Sequence, residues 1–494
     1  MRLNGRVTPL AALRADLTEA RFSVEALTGL WGSDAAAALH RGHRTPALRR
    51  LNGSTSLETL ARLFVLGLGA DTSSIDEALP SLTAAGAVEL GLIDAAGNPL
   101  LDLRPYSFVD AHGVGSWWIA SDLGELSTGA VLREDHVLGV GGASLTLSGL
   151  MVDRRVASAL DLGTGCGIQA LHAARHADRV VATDISQRAL DLAAFNAELN
   201  DVLNIEFRLG SLFEPVTGER FDHIVSNPPF VITPRAAGVP AYEYRDGGMI
   251  GDALVAAVID GLPHHLASGG IAQLLGNWEY RRDADGLDRA AAWLDATGLG
   301  SWVVEREVQD VALYAETWIR DGGTRAGAEF DRLSEAWLDD FESRGVTAVG
   351  FGYLTVQQGS TLHRVERLDG PVSNGLGPHI SESLAAHDRL ASLDDEALSR
   401  QLLAVAPDVT EERHYWPGDE HPTVMTLRQG GGFQRSIPLD TGLAGLVGAC
   451  DGELSLRAIV AALAQLLEVD EAALLAELLP GIRELVFDGF LRFT

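Results

Sequence analysis

Apolar runs alternate with helical patterns through the middle of the chain, beginning near residue 150. Short apolar runs at 156–163, 179–186, 205–211, 221–227 and 269–276 are typical of buried parallel strands. The segments between them, such as 186–200, have the 3.6-residue periodicity of helices that pack on a sheet. This alternation predicts a doubly wound, mostly parallel α/β sheet, which we expect to have seven strands.

The pattern changes after residue 300. Runs at 301–308 and 346–358 predict edge strands, and the second is expected to continue into 361–368 as a hairpin. Between them, residues 328–344 predict an inserted helix with one apolar face, made of Phe330, Leu333, Trp337 and Phe341.

Shorter elements precede and follow this sheet. Two capping-box patterns, Thr55 with Glu58 and Ser74 with Glu77, predict helix starts, and residues 100–110 predict a hairpin strand. After a linker rich in Gly and Pro at 371–379, strand patterns at 414–420 and 423–439 precede three helical segments. Each end resembles a winged helix in element order. We therefore predict winged-helix-like α+β domains at 1–125 and 375–494 around a sheet domain at 126–370.

Composition restricts the class of protein. The 494 residues are too many for one ordinary core, and 46% hydrophobic with 21% charged residues is typical of globular chains. The sequence contains neither a run of about 20 apolar residues nor a signal-peptide pattern, so we expect cytoplasmic residence and no membrane partner. Cys166 and Cys450 have no ligand-spaced partners, and His264 and His265 would face different directions on a helix. We predict no metal site.

The charge balance bears on partners. The formal net charge is −30, and all 38 basic residues are arginine. Such a chain is poorly suited to coat nucleic acid, since affinity for phosphates comes largely from basic side chains. The one basic stretch, residues 40–50, contains Arg41, Arg44, Arg49 and Arg50. It is either a solvated helix end or a local contact for nucleic acid.

A glycine-rich loop follows the first predicted strand, at residues 159–171. Gly163, Gly165 and Gly167 open a helix, Asp161 precedes them, and Asp184 ends the next strand. Glycines let a ligand lie against the backbone there, and an acid at the second strand end is placed to bind ribose hydroxyls. Asp184 could also cap the following helix. The pattern predicts a nucleoside-containing cofactor.

These residues resemble the class I S-adenosylmethionine-dependent methyltransferases, although a Rossmann oxidoreductase stays an alternative. The resemblance implies S-adenosyl-L-methionine as cofactor. Its methionine moiety would lie against Asp161, Gly163, Thr164, Gly165 and Gly167, and its ribose against Asp184 and Ile185. Gly210 and Ser211 would meet the adenine, and Asn227 would also border the cofactor. Many members have an acid where this chain has Ser211, which leaves the contact with the adenine amino group in doubt.

The fourth predicted strand ends in Asn227-Pro228-Pro229-Phe230. Asn227 offers a carbonyl oxygen, held in direction because the residue before a proline is extended. Together with the Pro228 carbonyl it could grip an NH2 group, while Pro229 stiffens the turn and Phe230 offers a flat surface. This arrangement suits methyl transfer to a planar nitrogen, and we interpret these four residues as catalytic.

Asn-Pro-Pro-Phe/Tyr after an apolar strand resembles the signature of the amino-methyltransferases, which act on adenine N6, rRNA guanine N2 or protein glutamine. Residues 130–280 most resemble the release-factor glutamine methyltransferases, while Phe230 in place of Tyr favours the guanine-N2 group. We expect a macromolecular substrate, and the acidic charge favours protein over RNA or DNA. A non-catalytic cofactor sensor that binds nucleic acid is a further alternative. The oligomeric state is left open.

Two polar segments border the predicted site. Thr146 and Ser148 precede the first strand, where they could cover cofactor or substrate or belong to a polar helix start. Tyr244, Arg245 and Asp246 lie in a glycine-containing stretch, residues 241–252, that could act as a lid and contact substrate. A surface loop with solvated charges would explain them as well.

Overall fold

The computed structural model describes residues 8–128, 132–242, 244–373 and 375–494. Contacts divide the chain into two compact units. The first contains the residues up to Ser148 together with Arg155–Gly359 and Arg364–Arg367, and the second contains Gly149–Arg154, Ser360–His363 and Leu368–Thr494. The division into three domains and the winged-helix resemblance of both ends stay predictions.

The N-terminal part of the first unit is helical and ends in a β-hairpin. Its antiparallel strands are β1 (Leu101–Asp110) and β2 (Gly113–Asp122), as the pattern at 100–110 predicted. Within residues 8–128 the helices are α1 (Pro9–Glu19), α2 (Val24–Trp31), α3 (Ser33–His40), α4 (Thr45–Leu48), α5 (Ser56–Leu60), α6 (Thr72–Ala78), α7 (Thr83–Glu89) and α8 (Glu125–Thr128), with a π-helical turn at Ala61–Val65.

One of the two predicted capping boxes is confirmed. Thr55 and Glu58 cap α5 reciprocally, side chain to backbone in both directions. The Ser74 and Glu77 box is wrong, because α6 begins earlier and its cap is Asp71, whose carboxylate accepts the Ser74 N–H at 2.8 Å. Ser74 therefore lies inside the helix, as the residue whose N–H the Asp71 cap accepts, and cannot itself be the N-cap.

The central sheet has eight strands rather than the predicted seven, in the order β10-β8-β9-β7-β6-β3-β4-β5. The strands from β7 to β5 in that order are mutually parallel, and β9 runs antiparallel to β7 and β8. Their bounds are β3 (Val156–Leu162), β4 (Ala177–Asp184), β5 (Ile205–Leu209), β6 (Phe221–Ser226), β7 (Leu266–Arg281), β8 (Gly300–Asp310), β9 (Val346–Gln357) and β10 (His363–Arg367). The five apolar runs are thus confirmed as strands.

The predictions for the last three strands are partly wrong. Neither β8 nor β9 lies at an edge, and β10 pairs with β8 instead of forming a hairpin with β9. Both sides of β9 are already hydrogen-bonded, to β7 and to β8, so it has no edge left for β10.

Helices cover both faces of this sheet. They are α9 (Gly142–Leu150), α10 (Ile168–Ala173), α11 (Gln187–Leu199), α12 (Ala253–His265), α13 (Gly286–Asp295), α14 (Val311–Asp321) and α15 (Ala328–Arg344), with a 3₁₀ turn at Glu214–Val216. The inserted helix is confirmed as α15, which buries Leu333, Trp337 and Phe341 while Phe330 packs on the same cluster. The sheet therefore presents its carboxyl edge between two helical layers.

From residue 375 on, the described chain of the second unit combines five helices with two three-stranded sheets, ordered β15-β11-β16 and β12-β13-β14. The run 414–420 is wrong as a strand, since only His414 belongs to β12, which ends there opposite Val424, and the rest connects β12 to β13. The bounds are α16 (Gly377–Ala391), α17 (Asp395–Ser399), β11 (Leu402–Val405), β12 (Val409–His414), β13 (Val424–Gln429), β14 (Ser436–Leu439), α18 (Thr441–Ala449), β15 (Asp451–Ser455), α19 (Leu456–Leu467), α20 (Glu471–Phe487) and β16 (Leu491–Phe493).

A search of the described residues for a helix both long enough and apolar enough to cross a membrane found none.

Candidate active site

The glycine loop joins β3 to α10 at the carboxyl edge of the sheet. The N–H groups of Gly163 and Thr164 donate to the Thr183 carbonyl, at 3.0 and 2.9 Å, which holds the loop against the end of β4. Gly167 has φ +87°, and a Cβ there would lie 2.9 Å from the Ala193 Cβ, so glycine is required. In the described part of the chain, no heavy atom lies within 4 Å of a Cβ built on Gly163 or Gly165. The loop leaves room for a ligand.

Asp161 lies beneath this loop and is fully buried. Its Oδ2 accepts a hydrogen bond from the Thr164 hydroxyl at 2.6 Å, whereas Oδ1 has no hydrogen-bond partner among the residues that the structure describes. Burial raises the pKa of Asp161 to about 7. An unpaired buried carboxyl oxygen is costly, and this oxygen is an acceptor that a polar ligand could use.

Asp184 ties the end of β4 to the glycine loop. Its Oδ2 accepts the Gly165 N–H and its Oδ1 accepts the Ser186 N–H, both at 2.9 Å. Burial raises the pKa of Asp184. The capping interpretation is wrong in detail, because the residue that precedes α11 as its N-cap is Ser186.

The predicted adenine and ribose residues lie beside Asp184. The Gly210 N–H donates to the Asp184 carbonyl at 2.9 Å, and Ser211 follows at the end of β5. The Ile185 side chain is 68% exposed, an unusual position for an apolar group unless something covers it. The structure thus brings the predicted ribose and adenine residues together at the carboxyl edge of the central sheet.

The turn Asn227-Pro228-Pro229-Phe230 starts where β6 ends. The fully buried Ser226 donates its hydroxyl to the Leu162 carbonyl at 2.7 Å, which ties the ends of β6 and β3 together and places Asn227 beside the start of the glycine loop. Asn227 Oδ1 is buried and has no hydrogen-bond partner within the described ranges of the chain. The Phe230 backbone bridges to Asp246. The amide oxygen is therefore available to a ligand that offers an N–H.

The segment after this turn packs closely on α14. Arg245 is 6% exposed and pairs with Asp321 at 2.7 Å, and the Tyr244 hydroxyl donates to the same carboxylate at 3.0 Å. Asp246 is 8% exposed and pairs with Arg235 at 2.9 Å. The interpretation as solvated charges is therefore wrong, since these charges are buried and paired. Contact of these residues with substrate stays a prediction. Residue 243 of the same stretch lies outside the described residues.

Thr146 and Ser148 lie within α9 rather than at its start, where Gly142 stands. The Ser148 hydroxyl donates to the Leu145 carbonyl at 2.9 Å. The Gln169 side chain donates to the Ser144 carbonyl at 2.7 Å, so α9 is tied to the helix that follows the glycine loop.

Sequence reasoning missed two residues near the turn, Tyr314 and Asn277. The Ile232 N–H and the Asn277 side chain both donate to the Tyr314 hydroxyl oxygen, each at 3.0 Å. Tyr314 lies 82 residues beyond Ile232 in the chain, and no local spacing pattern connects residues so far apart. The sequence around Tyr314 has the pattern of a helix with one apolar face. That pattern predicts that Tyr314 is buried, but it does not predict a function for the hydroxyl group.

Comparison with known proteins agrees with this geometry. The family model described as "Methyltransferase small domain" matches residues 140–239. On either side, models described as "Domain of unknown function (DUF7059)" and "Domain of unknown function (DUF7782)" match residues 19–104 and 384–493. The part of the chain that carries the glycine loop and Asn227 therefore matches a methyltransferase family.

Similar proteins include three that are named as glutamine methyltransferases. A protein of Methanocaldococcus jannaschii named "Putative protein N5-glutamine methyltransferase" is 37% identical over 135 residues, 27% of this chain and 68% of its own length. The "Release factor glutamine methyltransferase" of Xylella fastidiosa is 42% identical over 135 residues, 26% of this chain and 48% of the relative. The "Ribosomal protein uL3 glutamine methyltransferase" of Bradyrhizobium diazoefficiens is 33% identical over 175 residues, 33% of this chain and 54% of the relative. The chain thus spans about half the length of the latter two.

Solved structures also match part of this chain. The crystal structure of a methyltransferase from Pyrococcus furiosus aligns with 46% of this chain and 89% of its own, at 17% sequence identity and a TM-score of 0.28.

Proposed function

This chain belongs to the class I S-adenosylmethionine-dependent methyltransferases, in the group that includes the protein glutamine methyltransferases, and on that premise we propose that it methylates the side-chain amide nitrogen of a glutamine in a protein substrate. The observation that supports this most directly is the buried, unpartnered Oδ1 of Asn227 in the described part of the first unit, at the end of β6. A carboxamide NH2 is the kind of donor that such an acceptor lacks.

The residues at the sheet edge fit S-adenosyl-L-methionine. The cofactor's amino group would pair with Asp161, whose Oδ1 has no other partner in the described ranges, and its methionine moiety would lie on the open loop of Gly163, Thr164 and Gly165. Asp184 and Ile185 would hold the ribose, and Gly210 and Ser211 would border the adenine. When bound, the cofactor supplies an electrophilic methyl group.

Asn227 and Pro228 orient the nitrogen that reacts. The Asn227 side-chain oxygen and the Pro228 carbonyl would accept the two hydrogens of the carboxamide, and so turn the nitrogen lone pair out of conjugation. Pro229 limits the turn to one conformation, and Phe230 packs flat against the planar amide. The two oxygens also stabilise the positive charge that develops on nitrogen, so that no strong base is needed before the new bond forms, and the methylated nitrogen then releases one of its protons to water.

The segment that contains Tyr244, Arg245 and Asp246 would form one wall of the substrate site. Its ion pairs with Asp321 and Arg235 hold it beside the Phe230 backbone. A wall already ordered before substrate arrives binds with a smaller entropic cost than a mobile loop.

A protein substrate is favoured over a nucleic acid by two observations. Relatives are named for release factors and a ribosomal protein as substrates. The net charge of −30 also opposes attraction of phosphates. Proteins of the translation apparatus act in the cytoplasm, and we place this enzyme there.

The direct test is transfer of radiolabelled methyl from S-adenosylmethionine into lysate of a strain that lacks this protein. Label that protease removes supports the proposal, and label that only nuclease removes contradicts it.

Asn227→Ala should lower kcat at least about 100-fold, as loss of a transition-state hydrogen bond does elsewhere, with cofactor affinity little changed. Asn98→Ala, in an exposed turn, is the matched control and should retain full activity. Full activity of Asn227→Ala would contradict the role given to Asn227, whereas absence of methyl transfer by the unmodified protein would indicate a cofactor sensor.

A further inference from the structure

The segment after the Asn227 turn is held from two sides. The Val231 N–H donates to the Arg245 carbonyl at 2.8 Å. The next N–H, of Ile232, donates to the Tyr314 hydroxyl oxygen at 3.0 Å. Because Pro228 and Pro229 restrict the backbone before it, a fixed point at 231–232 limits where Asn227 can lie.

Tyr314 is well placed to act as a fixed point. It is completely buried, and its ring packs against Phe351, Trp337 and Phe341 with centroid distances of 5.6, 6.0 and 5.8 Å. It belongs to the helix pair α14–α15, which lies between β8 and β9 in the chain and shares one apolar cluster with Val231 and Ile232. Close packing of this kind leaves the hydroxyl oxygen few alternative positions.

Asn277 restrains the same hydroxyl from β7. Its Nδ2 donates to the Tyr314 oxygen at 3.0 Å, and the side chain is completely buried. Its Oδ1 has no hydrogen-bond partner among residues 8–128, 132–242, 244–373 and 375–494. An unpaired buried carboxamide oxygen destabilises the fold, and an apolar residue of similar size would avoid this cost. An asparagine at this buried position is therefore better explained by the bond to Tyr314 than by packing.

We propose that Tyr314, assisted by Asn277, is a positioning residue that fixes the direction of the Asn227 turn. The inference rests on the proposed function, because positioning matters to catalysis only if Asn227 grips the reacting nitrogen. The helix pair α14–α15 then affects the reaction without contacting the substrate, because the Tyr314 hydroxyl oxygen holds the backbone that follows Asn227. It lies outside the residues that match the methyltransferase family model, 140–239.

The test is Tyr314→Phe, which removes the oxygen and keeps the ring. We expect kcat to fall about 10- to 100-fold while the KM for S-adenosylmethionine stays within about twofold, because misplacement of a reacting group lowers turnover more than binding. Amide exchange in peptides that cover 228–236, followed by mass spectrometry, should become about tenfold faster. Three prolines in this segment leave few amides, so the change is assigned easily.

Tyr280→Phe is the matched control. Tyr280 lies on the same strand as Asn277, and its hydroxyl donates to Glu305 at 2.8 Å, away from the turn. This variant should leave both kcat and exchange at 228–236 unchanged. Asn277→Leu should reproduce the fall in kcat to a smaller extent, since one of two bonds to the phenol oxygen is lost.

Unchanged exchange at 228–236 in Tyr314→Phe would overturn the inference, and so would an equal fall in kcat in Tyr280→Phe. The exchange experiment does not depend on turnover. If the unmodified protein transfers no methyl group, the proposed function fails, while exchange in Tyr314→Phe still decides whether the tyrosine fixes the turn.

Discussion

At the scale of single residues, buried polar atoms without a hydrogen-bond partner are the observations on which the proposed site depends. Asp161 Oδ1 and Asn227 Oδ1 are buried and unpaired in the described chain, and both belong to residues at or next to the carboxyl ends of β3 and β6. Buried polar groups are almost always paired in folded proteins. Two such oxygens at the same sheet edge are what the proposed function expects of a site without its ligands.

The proposed pairing of Asp161 with the cofactor's amino group predicts that cofactor binding depends on pH. Because burial raises its pKa to about 7, the carboxyl is mostly protonated at pH 6 and mostly ionised at pH 8 in the ligand-free protein. Only the ionised form pairs with an ammonium group, so affinity for S-adenosylmethionine should be about tenfold weaker at pH 6 than at its plateau. Titration calorimetry at pH 6, 7 and 8 measures this.

The controls are Asp161→Asn, which should bind the cofactor weakly at every pH, and Asp178→Asn, a surface position on β4 that should keep the pH dependence.

The Asp161 carboxyl also makes the free energy of unfolding depend on pH, with a defined sign. A native pKa raised above its unfolded value means that the folded state binds the extra proton between about pH 4 and 7. Its contribution to the free energy of unfolding is thus present at low pH and lost as pH rises through 7. An affinity independent of pH would contradict the assignment of Asp161.

At the scale of elements, helix starts show how a local signal can mislead. The Thr55–Glu58 box and the Ser74–Glu77 pattern look alike in sequence, yet only the first caps a helix. Asp71, three residues before Ser74, accepts the Ser74 N–H, so the helix has already begun when the chain reaches Ser74. Spacing identifies a possible N-cap. Where two candidate caps lie close together in the sequence, the helix can begin at the earlier one.

Thr55→Ala should therefore destabilise the protein by about 1 kcal/mol, because the Glu58 N–H loses its acceptor. Glu77→Ala is the control and should stay within about 0.5 kcal/mol of the unmodified protein, since Glu77 is exposed and caps nothing. The shift of the unfolding midpoint in urea, at constant slope, measures both effects. Equal shifts would mean that the reciprocal cap contributes nothing.

At the scale of the whole molecule, the second unit is not one continuous segment of chain. Gly149–Arg154 and Ser360–His363 belong to it together with Leu368–Thr494. Within it, Met151 and Leu362 are buried, and a Cβ on Gly377 would lie 2.0 Å from the Met151 carbonyl oxygen, so the backbones pack closely there. The linker pattern at 371–379 therefore does not coincide with a clean structural boundary.

A chain ending at residue 370 should consequently expose the buried groups of 149–154 and 360–363. We expect it to be largely insoluble or to melt well below the full chain, because exposed apolar patches promote association. The soluble fraction and the melting temperature, compared with those of the full chain, measure this. A monodisperse, folded product would contradict the two-unit division and favour a separate C-terminal domain.

Features that depend on backbone chemistry and on hydrophobic periodicity can be predicted from short stretches of the sequence. The glycine loop, the acids Asp161 and Asp184, the turn that begins at Asn227 and the helix at 328–344 could all be predicted, because each is encoded within about 15 residues. Long-range pairing could not. The partner of β10, the burial of Arg245 beside Asp321 and the bond from Ile232 to Tyr314 join segments that are up to 82 residues apart. Such contacts depend on how all the elements pack at once, and packing is a property of the assembled core rather than of any local sequence.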